Sequence, residues 1–534
     1  MTICIEKLLR GPLKSAAPTV FSLGFILATI SAGIADESQD QKPLKNLNKI
    51  KYIIVIYQEN WSFDSLYGQF PGADGLANSF DTIPQLDKTA VPAYSALIYQ
   101  TSSPLTGSPL KPDPAFPSTP SGKLALVSNN SLAWPLIPYD FTTYIPANGL
   151  TGDIVHRFYH EQLQIDNGAL ETKNGDLDKF VTWSDNPGLV LSYLDATNLP
   201  EGKLAQQYTL CDNFFHSAYG GSFLNHQWLV AAASPPWVTP IPTGWQSSYD
   251  SVNKILADNQ LTFDGKYAVN TTQPLLAPFS PGTPIANRVL INNTDPSQPG
   301  YTANIGNRLD DAGINWRWYS GGWNDALANN ETANGELFQF HHQPFAYYTK
   351  YAPFLTAPTM DYSASSPPQL NPNTTGPSAH LQDEQNFFTD VATGNLPPVA
   401  FIKPLGPNNE HPGYADVVTG QQHVAALVAA VQNSKIWKDC VIIITYDENG
   451  GRWDHVAPPV RKDGWGVGTR VPAIIISPFV KHGAIDNTEY ETVSILKLIE
   501  RRFQLAPLSS RDGDPTIHDL TNALRGPESE HDND

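Results

Sequence analysis

Cysteine is nearly absent from this 534-residue sequence, which holds only Cys4, Cys211 and Cys440. Three widely spaced thiols exclude a disulfide-stapled scaffold. Basic residues are also scarce: Lys and Arg number 33 against 52 Asp and Glu, a formal net charge of −19. That balance excludes the electrostatic footprint of a nucleic-acid binder and a surface drawn to anionic membranes. No segment beyond the N-terminal region has the length and apolarity of a membrane span. An anionic substrate must therefore be captured by a local positive feature such as a metal ion.

Several catalytic patterns are missing too. Ser222 has Leu224 where the nucleophile elbow of an α/β-hydrolase needs glycine. His160-Glu161 is followed by Gln164 where a zinc-protease helix carries its second histidine. Cys211 does not open the Cys-x-Pro-x-Arg pattern of sulfatases, and no glycine-rich phosphate loop ending in lysine is present. Internal repeats are absent.

What is present begins with a leader. Lys7, Arg10 and Lys14 precede an apolar run from Ala16 to Ile30, and small residues follow up to Ala35. This is the pattern of a secretory signal peptide over residues 1–35, cleaved after Ala35, so a periplasmic or secreted protein with no lasting membrane span is expected. Loss of Lys7, Arg10, Lys14 and Glu6 makes the mature chain more acidic still. Cys211 and Cys440 then either pair in an oxidising compartment or stay as buried thiols.

Residues 36–534 read as a single domain. Lys51–Tyr57, Val399–Ile402, Val441–Tyr446 and Ala473–Ser477 are continuous apolar, β-branched runs, the mark of strands buried on both faces. Asp383–Val391, Gln421–Asn433 and Thr492–Phe503 carry apolar residues at helical spacing. Alternation of the two predicts an α/β fold with a mainly parallel central sheet sandwiched by helices, its ligand site beyond the carboxyl ends of the strands. Residues 81–147 and 234–301, rich in proline and small polar residues, read as loop or subdomain insertions.

Chemically able residues cluster at those strand ends. Glu59-Asn60 follows the first run, and Asp447-Glu448 with Gly450-Gly451 follows the third, succeeded by Asp454-His455. Adjacent carboxylates at a buried strand end repel each other unless a cation lies between them, so hard divalent-metal ligation and a solvated acidic turn are the two readings. Ser222, after Gly220-Gly221 and before a helical stretch, is either a nucleophile at a helix N-terminus or a structural cap. His156, His341, His342 and His411 are candidates to bind phosphate oxygens or to protonate a leaving alcohol. His160, His226 and His423 read as structural.

Together these blocks resemble the phosphoesterase family that joins bacterial phospholipases C with acid phosphatases. The likeness rests on Glu59-Asn60-x-Ser62-Phe63-Asp64, on Asp447-Glu448-x-Gly450-Gly451 with Asp454-His455, and on segments Asp153–Gly168, Cys211–Gln227, Ile305–Trp323 and Glu410–Gly420 in order between them. It implies an alkaline-phosphatase-like fold and one divalent metal ion held by Glu59, Asn60, Asp447 and Glu448, with Ser222 completing the shell. It also implies phosphate contacts from His156, from His341 or His342, and from His411, with Asp454 and His455 standing behind the ligands. The sequence departs from the family at Trp61, where arginine is frequent. It departs again at Gly-Gly-Ser222, where phospholipase members have Gly-Pro-Thr. The second departure points to the acid-phosphatase branch, hydrolysing small phosphate monoesters through a phosphoserine. Phospholipase C cleavage of lipid-headgroup diesters is the alternative, and a non-catalytic metal- or phosphate-binding protein is the third reading.

Overall fold

The apolar run ahead of Glu59 becomes strand β1 (Tyr52–Gln58), its residues buried from Ile53 onward. The computed structural model in which it lies describes residues 47–81, 85, 138–166, 177–186, 188–237, 248–250, 255–258, 262–263, 265–328, 337–355, 370–371 and 379–524. The expected leader and most of the first expected insertion fall outside these residues. Leu44–Asp534 forms one compact unit.

Seven further strands complete the main sheet: β2 (Thr209–Cys211), β3 (Trp316–Ser320), β4 (Leu381–Asp383), β5 (Val399–Lys403), β6 (Cys440–Tyr446), β7 (Ala473–Ile476) and β8 (Ala484–Asp486). Their order is β4-β3-β5-β1-β6-β7-β2-β8. β1 lies at the centre, parallel to both β5 and β6. The mainly parallel α/β sheet is therefore as expected, with one exception. β7, expected among the parallel strands, runs antiparallel to β6 and to β2. The reason is its connection. A parallel neighbour needs a crossover that returns the chain to the strand's starting end. The chain leaving β6 instead makes no helix before it re-enters the sheet at Ala473.

The helices that position the site are α1 (Phe63–Tyr67), α2 (Phe158–Asp166), α3 (Pro200–Gln207), α4 (Ser222–Ala231), α5 (Glu384–Thr393), α6 (Val417–Gln432) and α7 (Val493–Phe503). α6 packs on α3 and α5, whereas α4 packs on α7. α6 is capped by the Asp416 side chain, which accepts from the backbone N–H of Thr419. α4 is buried along its whole length. Among the described residues, the second expected insertion contains three short two-stranded pieces, Ser248–Asp250 with Ile255–Ala257, Thr262–Phe263 with Tyr267–Ala268, and Gln273–Pro274 with Arg288–Val289. Cys211 and Cys440 are buried free thiols, on strands separated by β7. Among the described residues no helix is long and apolar enough to cross a membrane.

One buried carboxyl on α7 makes the fold sensitive to pH. Burial, and then a hydrogen bond with Asp512, push Glu500 up to about 9. The folded state thus keeps a proton that the unfolded chain releases, and stability declines as pH rises from the ordinary carboxyl value toward 9. The melting temperature of the wild type should fall between pH 5 and pH 8 more than that of Glu500→Gln. Equal falls, measured by calorimetry, would contradict the assignment.

Candidate active site

Register in the parallel sheet sets the site. Gln58 pairs with Tyr446, so Glu59 and Asp447 leave β1 and β6 at the same level. Lys403 ends β5 at that carboxyl edge. Two glycines then draw separate loops into contact. Gly450 has φ +62°, and a Cβ there would lie 2.4 Å from the carbonyl oxygen of Asn60. Gly220 has φ +90°, and a Cβ there would lie 2.5 Å from the backbone nitrogen of Phe158. Only glycine tolerates both the left-handed backbone and the close approach. Asn60 is itself left-handed, at φ +63°, and its N–H donates to Asp447 Oδ1 at 3.2 Å.

Ser222 opens α4, with Gly221 as its N-cap. Its Oγ donates to Glu59 Oε2 at 3.0 Å and lies 3.4 Å from Asn60 Oδ1. The Asn60 amide is oriented by His156. Nδ1 of that ring lies 2.5 Å from the carbonyl oxygen of Ile154, so it carries the proton, and Nε2 accepts from Asn60 Nδ2 at 3.1 Å. This turns the Asn60 oxygen toward Ser222. His156 Nε2 is also 3.5 Å from Glu448 Oε1.

Glu59, Asp447 and Glu448 are fully buried. One oxygen of each loop carboxylate is pinned by backbone: Asp447 Oδ1 accepts from Glu448 N at 2.9 Å, and Glu448 Oε2 from Gly450 N at 2.6 Å. The others, Asp447 Oδ2 and Glu448 Oε1, accept no hydrogen bond. Burial, reinforced by Glu59, pushes Asp447 up to about 7. Burial and then Asp447 push Glu448 well up. Burial alone would raise Glu59, but His342 and the Lys403 ammonium outweigh it and hold Glu59 well below the usual carboxylate range. Buried, unpartnered carboxylate oxygens beside an amide oxygen and a hydroxyl are the donor set a hard divalent cation takes. The residues fit such an ion.

The paired histidines separate. His341 lines a cavity of about 340 Å³ together with Ser222, Phe223, His156 and His411, closed on one side by Asp258, Val269 and Asn270 of the second insertion. His342 turns to Glu59 instead, with Nε2 3.0 Å from Oε1. Burial holds it down to about 4, so at neutral pH it is a neutral imidazole and no proton donor. His411 Nδ1 lies 2.5 Å from the carbonyl oxygen of Pro412. Asp454 and His455 surround Arg470 rather than the acidic cluster. Asp454 Oδ1 accepts from Arg470 Nε at 2.8 Å, and His455 Nδ1 is 2.6 Å from Asp64 Oδ2. Asp454 Oδ2 also accepts from the N–H of Asp64 at 3.1 Å, so the pair braces the start of α1, just beyond Asn60.

Three residues escaped the sequence reading. Lys403, 1% exposed, makes an ion pair with Glu59 Oε1; its signal was a lone cation ending an apolar strand. His226 faces the same carboxylate, one helical turn after Ser222. Glu161, read only as part of a failed zinc motif, ties two loops together. Its Oε2 accepts from Gly220 N at 2.6 Å and its Oε1 from Asn449 Nδ2 at 2.8 Å.

The serine and the cluster of buried carboxylates thus lie beyond the carboxyl edge of a mainly parallel sheet, where open α/β sheets bind their ligands. The model of the Phosphoesterase family matches residues 50–506, and the chain belongs to that family. It is similar to phospholipase C A of Mycobacterium tuberculosis, 26% identical over 355 residues, which are 58% of this chain and 62% of that protein's length. It is also similar to phospholipase C B of the same organism, 23% identical over 507 residues, covering 90% of this chain and 78% of that protein. Among solved structures it overlaps a protein in the alkaline phosphatase superfamily from Vibrio parahaemolyticus. That overlap has a TM-score of 0.29 at 10% identity, over 60% of this chain and 63% of that one.

Removing a charged oxygen should loosen the ion these residues fit. Asp447→Asn and Glu59→Gln are each expected to weaken divalent-metal affinity by more than about a hundredfold, the upper end of what loss of an outer partner costs. Isothermal titration of metal-stripped protein reads this directly. Unchanged affinity in both variants would remove these residues from the ligand shell.

Proposed function

We propose that this chain hydrolyses phosphate monoesters in two displacement steps at Ser222. The observation that carries the reading is the placement of Ser222 Oγ. It stands at the first position of a buried helix, on the wall of a cavity of about 340 Å³, hydrogen-bonded to Glu59. Helix N-terminal N–H groups favour the charge of a phosphoryl group held there. The hydrogen bond to Glu59 Oε2 gives the serine proton an acceptor.

One divalent ion held by Glu59, Asn60, Asp447, Glu448 and Ser222 would polarise a phosphoryl oxygen and make the hydroxyl more acidic. In the first step the Oγ–phosphorus bond forms as the bond to the leaving alcohol breaks. The leaving oxygen takes a proton from the cavity wall, to which His411 contributes its ring. Water then gives a proton to the imidazole that protonated the alcohol and attacks phosphorus, the bond to Oγ breaks, Oγ takes back its own proton, and inorganic phosphate leaves with Ser222 restored. Most of the rate enhancement comes from positioning and charge compensation. The leader-like N-terminus supports action outside the cytoplasm.

A second reading, phospholipase-C-type cleavage of lipid-headgroup diesters, is favoured by the names of the curated relatives. A lipid diester needs an apolar approach. Of the aromatic residues that could supply one, Trp61, Trp316, Trp318 and Trp323 are buried in the core, and Phe223 alone among them lines the cavity. The cavity is walled by Asp153, Asp258, Asn270 and Thr271, which suits a polar, soluble leaving group.

Two measurements test these readings. Ser222→Ala should keep the fold and lower kcat by about three orders of magnitude or more, as for loss of a covalent nucleophile; near-normal turnover would exclude Ser222. With metal supplied, p-nitrophenyl phosphate should be turned over faster than p-nitrophenyl phosphorylcholine. The reverse order would establish the diester reading, and no turnover of either would revive a binding protein without catalysis.

A further inference from the structure

The corner of the site behind Glu59 holds more ligand chemistry than one ion at Asp447 and Glu448 uses. His226 Nδ1 lies 2.7 Å from the carbonyl oxygen of Ser222. A carbonyl only accepts, so Nδ1 carries the ring proton and Nε2 keeps its lone pair. That Nε2 is fully buried, makes no hydrogen bond, and lies 3.9 Å from Glu59 Oε1. His342 Nε2 lies 3.0 Å from the same oxygen, yet outside hydrogen-bonding geometry, and its side chain is 4% exposed. The two rings are stacked, 5.1 Å apart and 8° from parallel, so both nitrogens approach one oxygen side by side. The ligand atoms of Glu59, His226 and His342 lie within 4.8 Å of one another. Two imidazole nitrogens and a carboxylate oxygen drawn to a common point have the composition of the protein shell of a zinc-type site.

A cation already stands there. The Lys403 ammonium contacts Glu59 Oε1, and its own side chain is 1% exposed. Charge explains the arrangement. Glu59, Asp447 and Glu448 bring three buried negative charges; Lys403 returns one, and a single divalent ion supplies the other two. A second divalent ion would leave the centre strongly positive and would sit beside an ammonium that has no route to water. Glu59 is shared between the two places, with Oε2 toward Ser222 and Oε1 toward Lys403, as a carboxylate is shared in a two-metal centre.

We propose that Glu59, His226 and His342 form a second cation site, separate from the one at Asp447 and Glu448, and that the Lys403 ammonium fills it. This rests on the one-ion reading given under Proposed function. Lys403 is then the second cation of the centre, covalently supplied, and it makes the protein a one-metal enzyme on a two-site frame.

The test is metal stoichiometry. Metal-stripped protein is loaded with excess Zn²⁺, passed through a desalting column and analysed by inductively coupled plasma mass spectrometry. Wild type should retain one zinc per chain and Lys403→Ala two. Lys403→Arg, which keeps the charge, should stay at one, and adding His342→Asn to Lys403→Ala should restore one. Two zinc ions in wild type, or one in a folded Lys403→Ala, would overturn the proposal. Zinc X-ray absorption on the wild type tests it even if Lys403→Ala does not fold. The single ion should show an oxygen shell without imidazole back-scattering, and imidazole coordination would overturn the proposal. No retained zinc in wild type would sink the one-ion reading itself, an outcome distinct from failure of the second site.

Discussion

Three carboxylates buried at one edge of a sheet are the constraint on which the rest of this structure depends. Taking each charge out of water costs several kcal/mol even after relaxation. Glu59, Asp447 and Glu448 lie at the carboxyl ends of the two most central strands, out of reach of solvent. The surrounding polypeptide is organised to make that tolerable. Lys403 comes from the strand on one side, backbone N–H groups of the Asp447–Gly451 loop hold one oxygen each of Asp447 and Glu448, and two oxygens stay open toward a cation. The same open oxygens that strain the metal-free protein are what a divalent ion needs. Site and strain are one feature.

Much of this was legible in the sequence, for a physical reason. Buried parallel strands must be apolar on both faces, so β1, β5 and β6 stand out as unbroken β-branched runs, and a polar cluster directly after such a run is conspicuous because its burial needs charged or hydrogen-bonding partners. That is why Glu59-Asn60 and Asp447-Glu448 were visible, and why the glycines beside them were too. The sheet's one reversed strand was not visible. Direction depends on where the preceding loop leaves the chain, and residues 447–472 carry no periodicity that reveals it.

The residues that escaped did so because their role depends on partners far away in sequence. Lys403 looks like an ordinary strand end until Glu59 is placed 344 residues before it. Glu161 looks like a helix-surface acid until Gly220 and Asn449 arrive from two other loops. His342 and His341 are neighbours in sequence yet serve different places, one turned to Glu59 and the other to the cavity. Side-chain direction in a short turn is decided by packing, which adjacency in the chain does not encode.

The long reach of these contacts has a consequence for how the chain acquires its activity. The central strand pairs with partners that emerge from the ribosome several hundred residues later: Ile53 with Val399 and with Val441. Asn60 meets Asp447 across 387 positions, and Ser222 meets Glu59 across 163. Topologies dominated by such distant pairings close slowly, because the entropy of large loops is spent before the contacts return anything. An incomplete chain, lacking β6 and its acidic loop, lacks a central strand of the sheet and two of the three buried carboxylates. Hydrolytic competence therefore arrives only once nearly the whole polypeptide is available, and a cell making this protein is shielded from its chemistry until synthesis is almost finished.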